Sequence, residues 1–167
     1  MPRKVEYAEI IDIKGTPEKV FQSIVRQEDL MAWSAWPSET GSNCKVEGDD
    51  GKIGAQTIYL DKKNNKFGFQ EVVDMNANSK VTFHVESKGP PQKTLLEFYV
   101  APKSDNTSTV ILYFHNEFPW VVHLAVRLFG IVRWTRGMHV KDLDGLKRYV
   151  ENNETYEGHP LKQAKAA

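Results

Sequence analysis

Residues 5–13 alternate, with Val5, Tyr7, Glu9, Ile11 and Ile13 on one side and Glu6, Ala8, Ile10 and Asp12 on the other. A period of two rich in β-branched side chains predicts a strand. It stops at Lys14-Gly15, where Thr16-Pro17-Glu18 supplies an N-cap, a proline for the first helical position and an early carboxylate. The helix that follows gathers Val20, Phe21, Ile24 and Val25, and residues 28–33 predict a second short helix. Pro37 and Gly41 oppose any continuation through the run SAWPSETG.

From Cys44 the pattern is strand after strand. Residues 44–48 form a short strand, 48–51 a turn, 53–61 a longer strand and 62–65 a polar hairpin loop. Residues 66–75 set Phe67, Phe69, Glu71, Val73 and Met75 against Gly68, Gln70, Val72 and Asp74, and the first set is the expected inner one. Further strands over 80–87, 93–101 and 108–117 complete an antiparallel meander. Their more apolar faces are Val81/Phe83/Val85, Leu96/Phe98/Val100 and Val110/Leu112/Phe114, which places His84, Glu97 and His115 on the solvent side.

Residues 118–153 change period. Up to Trp134 the run is nearly unbroken apolar sequence in which only His123, Arg127 and Arg133 are ionisable. Beyond it Leu143, Leu146 and Val150 recur at spacings of three and four, which is helical. The segment reads as one long helix or as two, with Gly130 or Gly137 the place for a bend or break. Residues 154–167 read as a flexible C-terminal tail and 1–153 as a single domain. A strand, two short helices, six more strands and a long helix make an α+β chain. A curved antiparallel sheet of about seven strands would then wrap around the C-terminal helix and leave room for a cavity between them.

Composition narrows the function classes. An apolar fraction of 40% and a charged fraction of 26% are those of a globular domain. The formal charge is zero and no Lys/Arg block stands out, which argues against nucleic acid as a partner. The single cysteine, Cys44, has no internal disulfide partner and the N-terminus lacks a signal-length apolar run, so cytoplasm is the expected location. Residues 118–134 are too short for an integral membrane segment and carry Arg127 within the run. Burial against the protein's own sheet is the expectation, with surface docking the alternative.

Candidate chemistry is sparse. Cys44 has no nucleophile signature, and the five histidines include no zinc-binding pair or cluster, so no metal is expected. Glu71, set among Phe67, Phe69 and Val73, is a candidate polar anchor or acid–base group if buried, and His115 a candidate base if its strand face lines a cavity. Arg127 and Arg133 are possible counter-ions to Glu71 or to a ligand carboxylate; snorkelling to solvent is the alternative.

Four motifs, in order, resemble the START/Bet v-like superfamily, also called SRPBCC or polyketide-cyclase-like. They are Ile11-Asp-Ile-Lys-Gly-Thr-Pro-Glu-Lys-Val-Phe21, Trp33-Ser-Ala-Trp36, Gly51-Lys-Ile-Gly54, and Leu143-x-x-Leu146-Lys147 with Glu151. The resemblance implies a helix-grip fold that holds a hydrophobic small molecule, such as a lipid, polyketide or aromatic metabolite, between the sheet and the final helix. It leaves open a polyketide cyclase/dehydratase acting in the same cavity, and a protein-interaction module like the related activator of a heat-shock ATPase. No cofactor is expected. The ligand wall expected in such a grip comprises Trp33, Trp36, Tyr59, Phe69, Phe83, Phe98, Phe114, Trp120, Leu124, Arg127 and Trp134. Monomer and homodimer both stay open.

Overall fold

A computed structural model describes residues 2–89 and 92–159. Strand β1 (Arg3–Lys14) leads through helices α1 (Pro17–Val25), α2 (Gln27–Trp33) and α3 (Ala35–Thr40) into six strands in succession. These are β2 (Asn43–Glu47), β3 (Gln56–Leu60), β4 (Lys66–Asn76), β5 (Lys80–Ser87), β6 (Lys93–Ser104) and β7 (Thr107–Phe118), and helices α4 (Trp120–Leu128) and α5 (Ile131–Asn152) follow. Among the described residues the strands form one antiparallel sheet in the order β1-β7-β6-β5-β4-β3-β2. The three short helices therefore carry the chain from one edge of the sheet to the other. This is the α+β helix-grip architecture.

On β5, β6 and β7 the inner face is the one the alternation predicts. Val81, Phe83, Leu96, Phe98, Val100, Val110, Leu112 and Phe114 share one core with Val20, Phe21, Ile24 and Val25 of α1 and Leu143, Leu146 and Val150 of α5. Each fully buried side chain of this size contributes about 1.5–3 kcal/mol. Helix α5 is further tied to β1: Lys147 Nζ donates to Asp12 O at 2.6 Å, and Lys14 N donates to Glu151 Oε1 at 2.7 Å. The terminal Leu-x-x-Leu-Lys-x-x-x-Glu pattern thus joins a core stripe to two edge contacts.

Three sequence expectations change. The SAWPSETG run does not end the helices but forms α3, because Pro37 falls in its first turn, where a missing N–H costs nothing. Ser34 Oγ accepts from Trp36 N at 3.3 Å, and Gly41 ends the helix at φ 65°. Residues 53–55 belong to a turn, not to β3: Gly54 N donates to Val72 O and Val72 N to Ala55 O. On β4 the inner positions are Gly68, Gln70 and Val72, not Phe69, Glu71 and Val73, while Phe67 packs beside Tyr59 at the irregularity between Tyr59 and Leu60. Register decides this, since Val72 pairs with Phe83 and Gln70 with Val85, and directly opposed residues share a face. A bulge between Val72 and Asp74 then brings Met75 back inside, opposite Val81.

The last segment is two helices, broken at Gly130, whose φ of 68° is a left-handed conformation that favours glycine. Residues 154–159 of the expected tail are held in place: Tyr156 N donates to Ala32 O, Tyr156 OH to Glu39 Oε1 and Ser38 Oγ to Glu157 Oε1. Residues 160–167 lie outside the described residues.

Gly145 permits a close approach of α5 to the end of α2. A Cβ there would sit 2.1 Å from the carbonyl oxygen of Trp33 and 3.2 Å from the Tyr156 ring. Gly145→Ala is expected to push α5 off α2 and lower the unfolding free energy by about 2 kcal/mol, read as a lower urea midpoint at unchanged slope.

Candidate functional site

Between the sheet and the helices lies a partly enclosed cavity of about 520 Å³. The sheet contributes Tyr59, Gln70, Val85, Leu96 and Phe114, α3 contributes Trp36, and α5 contributes Val132, Thr135 and His139. Val122 and Val126 of α4 form part of the wall from above. The buried side chains of α5 begin at Met138, and before that point Val132 and Thr135 border the cavity.

The two ends of the cavity differ. At the aromatic end Trp36 meets Trp134 edge-on with centroids 5.3 Å apart, and Phe114 stacks on Tyr7 at 4.8 Å. At the other end Asn116 Nδ2 donates to Thr94 Oγ1 at 2.7 Å and to Gln92 Oε1 at 3.1 Å, and Gln92 Nε2 donates to Ser87 Oγ at 2.9 Å. Asn116 Oδ1 and Gln70 Nε2 are buried with no partner among the described residues, so this end retains unused hydrogen-bonding capacity. All these groups are neutral. The charged residues on the wall, Glu86 and Lys88, are exposed.

Two titratable residues of α5 sit beside the aromatic end. His139 Nδ1 shares a hydrogen bond of 2.8 Å with Tyr7 OH. Burial holds His139 down at about 4, and burial raises the Tyr7 phenol above its ordinary 10. Asp142, one helical turn along, accepts from Ser34 Oγ at 2.9 Å, Ala35 N at 2.7 Å and Trp36 Nε1 at 3.0 Å. Burial pushes it up to about 7 against the pull of those three donors.

These shifts oppose each other in stability. Between its ordinary 3.8 and about 7, Asp142 keeps a proton in the folded chain that the unfolded chain has lost, so its contribution falls as pH rises through that window. Between about 4 and its ordinary 6.5, His139 is protonated only in the unfolded chain, so its contribution rises with pH. Relative to wild type, the unfolding free energy of Asp142→Asn is expected to rise with pH between about 4 and 7, and that of His139→Gln to fall between about 4 and 6.5. Urea unfolding across that range checks both signs, since other carboxylates contribute equally to all three proteins.

No protein-family model matches the chain, and no curated protein matches it by sequence. Solved structures do match. Norcoclaurine synthase from Thalictrum flavum, as a point mutant holding a transition-state analogue, superimposes with a TM-score of 0.69 at 8% identity, covering 92% of this chain and 98% of that one. A Staphylococcus aureus protein of unknown function gives 0.68 at 13% identity over 91% and 96%. A Plasmodium falciparum protein described as an HSP90 activator gives 0.50 at 14% identity over 68% and 74%. The fold is START/Bet v 1-like.

Within this START/Bet v 1-like fold the Trp33-Ser-Ala-Trp36 motif has a physical role. Trp33 Nε1 donates to Ser23 O at 2.7 Å in the core, while Ser34, Ala35 and Trp36 converge on Asp142. Of the residues expected to line the cavity, Trp36, Tyr59, Phe114 and Trp134 do so. Trp33, Phe83 and Phe98 lie in the packed core, their rings edge to face. Phe69 faces outward against His84, with Lys66 Nζ 4.6 Å above its ring. Trp120, Leu124 and Arg127 are on the surface of α4.

Both acid–base candidates are on the outer face. Glu71 accepts from Gln56 Nε2 at 3.0 Å, with neither Arg127 nor Arg133 as counter-ion among the described residues, and His115 Nδ1 is 2.6 Å from Glu6 Oε1. Sequence reasoning missed the polar end and the α5 pair. Thr94 and Asn116 extend the inner alternations 96/98/100 and 110/112/114 by one step, and His139 and Asp142 extend the 143/146/150 stripe backwards. Both signals were present as spacing.

Proposed function

We propose that this protein binds one neutral, largely hydrophobic small molecule in the cavity between the sheet and α4/α5. The observation that carries this reading is the lining: about 520 Å³ walled by aliphatic and aromatic side chains, with neutral hydrogen-bonding groups at one end and no charged group enclosed. The volume lies in the range of small-molecule sites, which are mostly apolar with a few polar groups that orient the ligand. An ionised ligand would meet no counter-charge in the enclosed part. A carboxylate or ammonium there would lose its hydration without compensation.

Two considerations weigh against chemistry in the same cavity. A general acid or base works best with a pKa near the operating pH, yet His139 is lowered and Tyr7 raised, each away from neutrality. Asp142, at about 7, is enclosed by its three donors and is not part of the cavity wall. A role limited to protein contacts, as in an ATPase activator, fits a filled core better than a cavity of this size.

Titration with Nile red, a neutral environment-sensitive dye, tests the reading. Saturable enhancement at one dye per chain, with quenching of Trp36 and Trp134 fluorescence, supports it. Absence of saturable binding contradicts it.

A further inference from the structure

We propose that α4 and the start of α5 dock the protein on a bilayer surface that carries anionic headgroups, and that the cavity exchanges its ligand through this contact. Docking stands on the surface itself; the exchange rests on the ligand reading above.

The outer side of α4 is apolar and uncovered. Val121, Leu124 and Leu128 recur at helical spacing, with Leu128 74% exposed. Phe129 follows at 80%, and Trp120 and Trp134 flank the run at 62% and 53%. The opposite side of the same helix, Val122 and Val126, is cavity wall. A helix apolar on both sides, with only one side covered by its own domain, leaves a patch of a kind that marks a contact surface.

Charge selects the partner. Between Phe118 and Lys141 the chain has no Asp or Glu but has Arg127, Arg133 and Arg136, in a protein whose formal charge is zero. Arg136 is paired with Glu9, whereas Arg127 and Arg133 make no ion pair among the described residues. Both line a shallow surface depression with His123, Lys4 and Glu6, and Glu6 is already engaged by His115. A two-fold contact between copies of this face would set these arginines against their own counterparts, with no carboxylate in the segment to offset them. Large apolar side chains flanked by arginine, with tryptophans at the margins, match the interfacial region of an anionic bilayer. Among the described residues no helix is long and apolar enough to cross a membrane, so the contact is peripheral. A bilayer also holds the kind of molecule the cavity is lined for, and α4 stands between the two.

The test is vesicle co-sedimentation of the full chain with phosphatidylcholine alone and with phosphatidylcholine containing phosphatidylglycerol. The expected result is binding that requires phosphatidylglycerol and weakens with added salt. The Arg127→Glu/Arg133→Glu double variant should lower the partition coefficient more than about tenfold, since each basic residue is worth about fivefold at such a surface. Leu128→Asn/Phe129→Ser should abolish binding. None of these side chains lines the cavity, so Nile red titration in the absence of vesicles should be unchanged in both variants. That readout separates a failure of docking from a failure of ligand binding. Absence of sedimentation with anionic vesicles at low salt overturns the proposal. So does sedimentation that both variants retain, or a wild-type dimer in analytical ultracentrifugation that Leu128→Asn/Phe129→Ser dissociates.

Discussion

Replacing Asp142 with alanine is expected to lower the unfolding free energy by about 3 kcal/mol, because three buried or half-buried donors lose their acceptor at about 1 kcal/mol each. The donors are the Ser34 hydroxyl, the Ala35 N–H and the Trp36 indole, all within 3.0 Å of the carboxylate. For a domain of this size the melting temperature should drop by roughly 6–12 °C. Asp142→Asn keeps an oxygen for Ser34 and Ala35 but turns an amide N–H toward Trp36, so it should cost about half as much. Thermal and urea unfolding of the two variants check the order. The loss should also reach the cavity. Trp36 is held by Asp142 on one side and stands against Trp134 on the other, so its fluorescence should lose sensitivity to bound dye in the alanine variant.

The second large effect is on binding. Thr135 is a half-buried side chain of α5 facing the cavity. In Thr135→Trp the indole would occupy the space a ligand needs, and Nile red affinity should fall at least about tenfold, a loss of 1.4 kcal/mol or more. The new side chain enters open volume instead of packed core, so the unfolding free energy should change by less than about 1 kcal/mol. Affinity close to wild type in Thr135→Trp would place the dye elsewhere and remove the support it gives to the cavity. The comparison is informative because the substitution separates volume from stability, which Asp142→Ala does not.

Much of the architecture was legible in the pattern of the chain. Alternation on β5, β6 and β7 identified the inner face residue by residue, and the helical stripe of Leu143, Leu146 and Val150 found its place in the core. What escaped was set by tertiary contacts. On β4 the more apolar alternate set, with Phe69 and Val73, pointed to the wrong face, and only pairing with Phe83 and Val85, together with the bulge after Val72, selects Gly68, Gln70 and Val72. Glu71 and Phe69 left the candidate site for that reason alone. A wall of a cavity and the interior of a core carry the same alternation, so Phe83 and Phe98 could not be told from Phe114 without knowing where along α5 the buried side chains begin. Residues 118–134 are apolar on every side, and such a run has no periodicity to say which side is covered. Trp120, Leu124 and Arg127 went to the surface on that account, where they bear on docking instead of on the cavity wall.

Native mass spectrometry of the protein purified from the cells that make it tests the central claim most directly. The account predicts a complex one neutral small molecule heavier than the chain, released on collisional activation and missing from Thr135→Trp. A bare chain from wild type under the gentlest conditions, together with no saturable Nile red binding, would contradict it.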